Sequence, residues 1–359
     1  MGSRIGWRLD MNRETRHLIN ARENEKALAW LRKYWERPAK LEYFNARSVD
    51  EAISLAEEYG QQGRFIAGGS DLLGLIKNQV SSPDALIDIK NLPGLKKIVQ
   101  TEDGIAIGAL VSINDIERST LITARYPMLQ TTAHSIGSPQ IRNMATLGGN
   151  LLQDVRCWYY RRSPVTGNSF NCRRKTATGP CYAAGGENQY HAVMGGSECL
   201  GICPSDMAAT LLALDARVKT VNSRGGRTLS IDELYSPLGN ILERDEIITT
   251  VSIPKVTRGA SQRFLKFRIR KAIDFAIVSV SAVVTWEKET IKDLRLILGG
   301  VTYKPHRAMQ AEEILKSEKI SEKLVAEAGK AAVAGMTPLS KNGYKIPILE
   351  ALVKRAILE

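Results

Sequence analysis

The chain has 359 residues, 43% hydrophobic and 25% charged, the balance of a soluble globular protein whose length calls for two or three cores rather than one. No apolar run reaches the roughly 20 residues of a membrane-spanning helix. Met1 to Asp10 lacks a secretion signal's apolar stretch and cleavage site, so the cytoplasm is the expected compartment, with export on a partner subunit left open. The formal charge of +12 admits nucleic acid or acidic partners. Zinc-finger spacing and aromatic RNA-binding signatures are absent and the basic residues are dispersed, so a basic surface facing acidic subunits or anionic cofactors is expected instead.

Residues 1–40 form a basic segment in which Ala27, Leu28, Leu31, Tyr34 and Trp35 fall at helical spacing before Pro38. Residues 41–95 form a first unit of alternating strand and helix. Ser48 caps a helix through Glu58 with Ile53, Leu55 and Ala56 inward, Arg64 to Ala67 is a buried strand, Asp71 to Val80 a helix, and Ala85 to Ile89 a strand ended by Leu92-Pro93-Gly94.

Residues 96–256 form a second unit. It holds a strand at Gly104 to Leu110, a helix from Ser112 or Asn114, a loop-rich stretch from Gly137 to Asn150 and an irregular insert at 155–203. A helix at Pro204 to Ala213, a strand at Arg217 to Val221, a turn at Gly225-Gly226 and a strand at Ile247 to Ile253 complete it. Residues 257–359 read as three strands, Arg263 to Arg268, Ile277 to Trp286 and Ile291 to Leu298, followed by helices. One helix is marked by Leu324, Val325 and Ala328, the last by Ile348, Leu349, Leu352 and Val353.

Two paired-glycine loops carry chemistry. In Phe65-Ile66-Ala67-Gly68-Gly69-Ser70-Asp71-Leu72 the glycines sit between strand and helix, where consecutive amides can converge on an anion and the helix start adds partial positive charge. Ala145-Thr146-Leu147-Gly148-Gly149-Asn150-Leu151, about eighty residues on, offers the same elements. Two such loops can grip one diphosphate from both sides. Neither is G-x-G-x-x-G and neither carries a P-loop lysine.

All five cysteines, Cys157, Cys172, Cys181, Cys199 and Cys203, lie within 47 residues, separated by fourteen, eight, seventeen and three residues. The odd number and missing signal argue against disulfides. The absence of C-x-x-C argues against structural zinc. A long irregular loop needs something to offset its ordering entropy, and irregular gaps suit an iron–sulfur cluster, whose thiolates need only converge in space. His191 is a further candidate ligand or a polar loop contact; Arg161, Arg162, Arg173 and Arg174 surround an anionic centre or form a solvated face.

The glycine pairs, together with Pro204-Ser205-Asp206, Glu246-Ile247-Ile248 before Ile253-Pro254, and Phe264-Leu265-Lys266, resemble the FAD-binding subunit of the xanthine dehydrogenase or molybdenum hydroxylase family over roughly residues 41–359. That resemblance implies an α+β fold: a PCMH-type pair of FAD-binding subdomains and a C-terminal α+β domain of the CO dehydrogenase flavoprotein type. It implies that Phe65 through Leu72 wrap one side of FAD and that Thr146, Leu147, Gly148, Gly149 and Asn150 hold the other side of its diphosphate. Ile136 would pack near the nucleotide, Asp206 accept hydrogen bonds from the cofactor, Ile248 lie against the flavin ring, and Lys266 favour negative charge on it.

The insert resembles that of the 4-hydroxybenzoyl-CoA reductase flavin subunit and of bacterial aldehyde oxidoreductase FAD subunits, which implies a [4Fe–4S] cluster on Cys157, Cys172, Cys181 and Cys199. Cys203, next to Pro204, would be a small buried hydrophobe. The implied role is electron transfer in a heterotrimer: substrate chemistry on a molybdenum-cofactor subunit, [2Fe–2S] clusters on another, and an external carrier such as ferredoxin. No catalytic acid, base or nucleophile is expected here. A self-sufficient flavin oxidoreductase of the same fold, which would act as an isolated chain, and an iron–sulfur nucleic-acid-binding protein, which would bind DNA salt-sensitively without flavin, are the alternatives.

Overall fold

The computed structural model describes residues 41–163, 170–196 and 198–359. The helix expected near residues 27–35 lies outside them. The chain builds three main sheets in sequence order. The first is parallel, β1 (Glu42–Asn45), β3 (Ala85–Asp88) and β2 (Gly63–Ile66) in the order β1-β3-β2. Parallel neighbours need crossovers, supplied by helices Val49–Tyr59 and Leu72–Lys77. Ser48 caps the first of these by accepting from the Glu51 amide, and Gly60, at φ 47°, stops it. The second helix ends at Lys77, short of the expected Val80, because Gln79 turns left-handed at φ 52°.

The second sheet is antiparallel, in the order β4 (Ile98–Gln100), β5 (Gly104–Gly108), β10 (Ile247–Pro254), β6 (Arg217–Asn222) and β7 (Gly225–Ser230), with a small hairpin of β8 (Tyr235–Ser236) and β9 (Gly239–Asn240) between β7 and β10 in the chain. The Gly225-Gly226 pair, expected as a turn, opens β7 instead and pairs with Asn222 and Val221. Helices at Ile113–Arg118, Thr120–Arg125, Pro127–His134 and Asp206–Ala213 close a core around Ile107, Leu129, Met207 and Val251.

The third sheet is antiparallel, β11 (Ser261–Phe267), β12 (Val278–Glu287), β13 (Thr290–Gly299) and β14 (His306–Arg307) in sequence order. The three expected strands lie within two residues of those found; β14 makes a fourth, too short to carry a period. Helices Met309–Leu315, Glu322–Ala332 and Lys345–Leu358 bury Leu315, Val325 and Val353 against it. No helix among the described residues is long and apolar enough to cross a membrane.

Candidate functional site

The first glycine loop leaves β2 and enters the helix at Leu72. The amides of Gly68, Gly69, Ser70, Asp71 and Leu72 have no acceptor among the described residues, so five consecutive donors remain available where the chain lines a cleft. Gly69 adopts φ 67°, a conformation L side chains rarely take. A Cβ on Gly68 would lie 1.8 Å from the Met144 carbonyl oxygen, so the loop approaches the second glycine segment closer than any side chain allows.

The second pair is built differently. Residues 137–150, expected to be loop-rich, contain two short helices, Pro139–Met144 and Leu147–Leu151. Thr146 is the cap of the latter, its Oγ1 accepting from Gly149 N at 3.1 Å. The amides of Leu147, Gly148 and Asn150 donate to the carbonyls of Val111, Ala109 and Thr146. All four are therefore engaged within the protein, and this loop contributes shape rather than a donor array. Leu147 is fully buried in the core and lines neither cavity of the site. Gly148 lies against Ala109, 3.1 Å from where its own Cβ would sit.

Between the loops lies a cleft of about 1000 Å³, the size of a large cofactor pocket. Phe65 through Leu72, Thr146, Gly148, Gly149 and Ile248 line it. Ile248 stands where the pairing of β10 with β6 shifts register before Thr250. A smaller adjoining cavity of about 120 Å³ is lined by Ile136, Asn150, Asp206 and Lys266; Ser70, Asp71 and Gly149 border both. The structure thus brings Ile136, Asp206 and Lys266 together but sets Ile248 in the larger space. Asp206 is not left open: Lys266 Nζ donates to its Oδ2 at 2.6 Å. Asn150 Oδ1 accepts from Ser205 Oγ at 2.7 Å.

Several lining residues escape a motif search. Arg64, Arg174, Lys175 and Arg244 give the large cleft a cationic rim, suited to a diphosphate. Burial lowers the Arg64 pKa, and the facing Arg244 lowers it further. Arg156 and Phe275 border the smaller cavity, the guanidinium 4.7 Å over the ring. Arg174 and Lys175 come from the cysteine insert, so the insert forms part of the lining of the large cleft. It is tied there by charge. Asp71 of the first glycine loop accepts from Arg156 and, at 2.7 Å, from Arg161, while Arg174 pairs with Asp154 at 2.5 Å.

Within the insert, one-turn helices Trp158–Arg161 and Arg173–Thr176 each start directly after a cysteine, Cys157 and Cys172. Burial pushes the Cys157 thiol up to about 11, and the charges of Cys199 and Cys181 act in the same direction. Lys175 feels both Cys172 and Cys157. Cys157 therefore lies within electrostatic reach of Cys181 and Cys199, and Lys175 within reach of Cys157 and Cys172. Cys203 stands apart: its thiol, buried and also pushed up to about 11 by burial, borders the large cleft beside Tyr235. His191 Nε2 lies 3.2 Å from Cys157 Sγ, and the Gly201 amide donates to Cys199 Sγ at 3.3 Å. Among the described residues no three His, Cys, Asp or Glu side chains gather tightly enough for a single metal ion. A polynuclear cluster interposes its own iron and sulfide between the thiolates and needs a wider ring.

Residues 39–256 match the family model for the FAD-binding domain in molybdopterin dehydrogenase, and residues 263–359 that for the CO dehydrogenase flavoprotein C-terminal domain. The aldehyde oxidoreductase FAD-binding subunit PaoB of Escherichia coli is 33% identical over 307 residues, covering 82% of this chain and 91% of that one. The carbon monoxide dehydrogenase medium chain of Hydrogenophaga pseudoflava is 25% identical, covering 89% and 96%. A solved carbon monoxide dehydrogenase from Hydrogenophaga pseudoflava superposes with a TM-score of 0.72 at 25% identity over 89% of this chain and 97% of that one.

Proposed function

Because the chain belongs to the family of FAD-binding medium subunits of molybdenum hydroxylases, we propose that it is the electron relay of such a complex and that its insert holds a [4Fe–4S] cluster beside the flavin. When bound, FAD would exchange electron pairs with single electrons, and the cluster would pass single electrons to or from an external carrier such as ferredoxin. Substrate chemistry would belong to a molybdenum-bearing subunit, with a [2Fe–2S] subunit completing a heterotrimer.

The observation that carries this reading is the row of five unengaged amides, Gly68 to Leu72, on a cleft that residues of the cysteine insert also line. In the proposal these amides and the Ser70 hydroxyl hold the diphosphate, with Thr146, Gly148 and Gly149 shaping the other side. Arg174 and Lys175 balance its charge. Lys266, fixed by Asp206, presents a cation to the ring, and Ile136 packs near the nucleotide. Cys157, Cys172, Cys181 and Cys199 ligate the cluster. Cys203 is left out because its surroundings are Tyr235, Ser205 and Asp206 rather than the other thiols.

The test is purification without oxygen, alone and with co-expressed subunits, followed by flavin and iron counts and EPR spectroscopy. One FAD and about four irons per chain are expected. A chain free of flavin would overturn the reading, and a flavin-bearing chain free of iron would leave a flavin subunit without a cluster.

A further inference from the structure

The start of the last helix clamps the cysteine insert. Lys345 is fully buried, and its Nζ donates to the carbonyl oxygens of His191 at 2.8 Å and Gly300 at 2.9 Å, with that of Tyr190 at 3.4 Å. Asn342, also fully buried, donates to the carbonyls of His191 at 3.2 Å and Ala192 at 2.9 Å. Two side chains of the C-terminal region thus fix the backbone of one insert residue, His191.

His191 is 4% exposed, with Trp158 edge-on to its ring at 5.9 Å. Its Nε2 lies 3.2 Å from Cys157 Sγ, and its Nδ1 has no partner among the described residues. A thiolate bound to iron has no hydrogen to give. The 3.2 Å contact is then attractive only in forms with a proton on Nε2. The Nδ1–H tautomer would oppose two lone pairs and bury a donor without an acceptor, which is the costlier fault.

We propose that His191 Nε2 donates a hydrogen bond to the thiolate of Cys157 on a bound iron–sulfur cluster, and that Lys345 and Asn342 are the positioning residues that hold it there. This rests on the assignment of Cys157 as a ligand made above. An N–H donor on a ligating sulfur draws off negative charge, favours the reduced cluster and raises its potential. The C-terminal region would in this way set the redox poise of a centre carried by the other part of the chain.

The experiment uses the full chain, purified without oxygen with the subunits that accompany it, as wild type, His191→Leu, His191→Gln and Asn342→Ala. Iron is counted, and the cluster is titrated by EPR. Leucine packs but donates nothing; about a tenfold loss in the reduced-to-oxidised ratio at fixed potential is expected, about 59 mV for a one-electron couple. Glutamine can still donate and is expected to stay near wild type. Asn342→Ala is expected to shift in the same direction as leucine, by less. A loaded His191→Leu protein at the wild-type potential overturns the hydrogen bond, and an unshifted Asn342→Ala overturns the positioning role. If His191→Leu loses its iron, glutamine decides: iron retained near the wild-type potential supports the donor role, and iron lost overturns it. Wild type without iron refutes the cluster itself, a separate result.

Discussion

Lys266 Nζ and Asp206 Oδ2 form a 2.6 Å ion pair whose side chains are only 5% and 7% exposed. Asp206 stands in the first turn of its helix, where the dipole favours negative charge, and Lys266 reaches it from β11, also donating to the Ser135 carbonyl at 3.3 Å. The pair therefore ties the helix Asp206–Ala213 to β11 of the third sheet at the smaller cavity. Removing one partner leaves the other charge buried alone, a cost of about 3–5 kcal/mol. Lys266→Met is expected to lower the unfolding temperature and the flavin retained after gel filtration. Asp206→Asn, which keeps an acceptor, should do less harm to stability. A Lys266→Met protein that melts and binds flavin like wild type would show the pair to be incidental.

Two glycines a few residues apart should respond oppositely to alanine. At Gly68 a Cβ meets the Met144 carbonyl oxygen at 1.8 Å, and that atom is backbone, so the two glycine segments must separate. At Gly74, inside the following helix, a Cβ meets nothing within 4 Å. Gly74→Ala is expected to stabilise by about 0.5–1 kcal/mol. Gly68→Ala is expected to lose flavin and to destabilise, read by flavin absorbance and chemical denaturation. Equal flavin content in the two variants would refute the idea that loop contact shapes the cleft.

The contrast between the glycine pairs also marks how far the sequence is legible. Both pairs read alike as motifs, and the strand before the first was visible because the β2–β3 segments are short apolar runs. What separates them is that Thr146 caps a helix and thereby engages the amide of Gly149. A hydroxyl three residues before that amide was the available signal. Pro127, at the first position of helix Pro127–His134, and Ser119, capping Thr120–Arg125, are equally readable cues for those two helices. The Lys266–Asp206 pairing was not readable, since the partners are 60 residues apart and neither position is periodic. The insert shows no period because its order comes from side-chain bonds, Arg161 on Asp71 and Arg174 on Asp154.

Serine replacement should sort the cysteines into two classes. Cys203 sits beside Tyr235, whose hydroxyl donates to the Leu151 carbonyl at 2.9 Å, and a serine there keeps size and polarity close to the original. Cys203→Ser is expected to retain about four irons per chain, within error of wild type. Cys157→Ser, Cys172→Ser, Cys181→Ser and Cys199→Ser are each expected to lose most of the iron and its visible absorbance. Iron retained in Cys157→Ser but lost in Cys203→Ser would reassign the fourth ligand.

Glu246 gives the fold an acid limit near the large cleft. Burial raises its pKa, but Arg227, bonded to it twice at 2.7 Å, and Thr220, donating at 2.5 Å, outweigh that and hold it below the ordinary value. A carboxylate whose folded pKa is depressed stabilises the fold above its unfolded pKa of about 4.3, and that contribution disappears as pH falls through the folded value. Arg227 is 43% exposed, so solvent screening keeps the ion pair's share to about 1 kcal/mol or less. Glu246→Gln is therefore expected to be slightly less stable than wild type at pH 7 and to converge on it below about pH 4. Denaturant midpoints measured from pH 7 to pH 3.5 should show the gap closing; a gap that is constant or widens toward acid would mean that Glu246 acts through packing rather than charge.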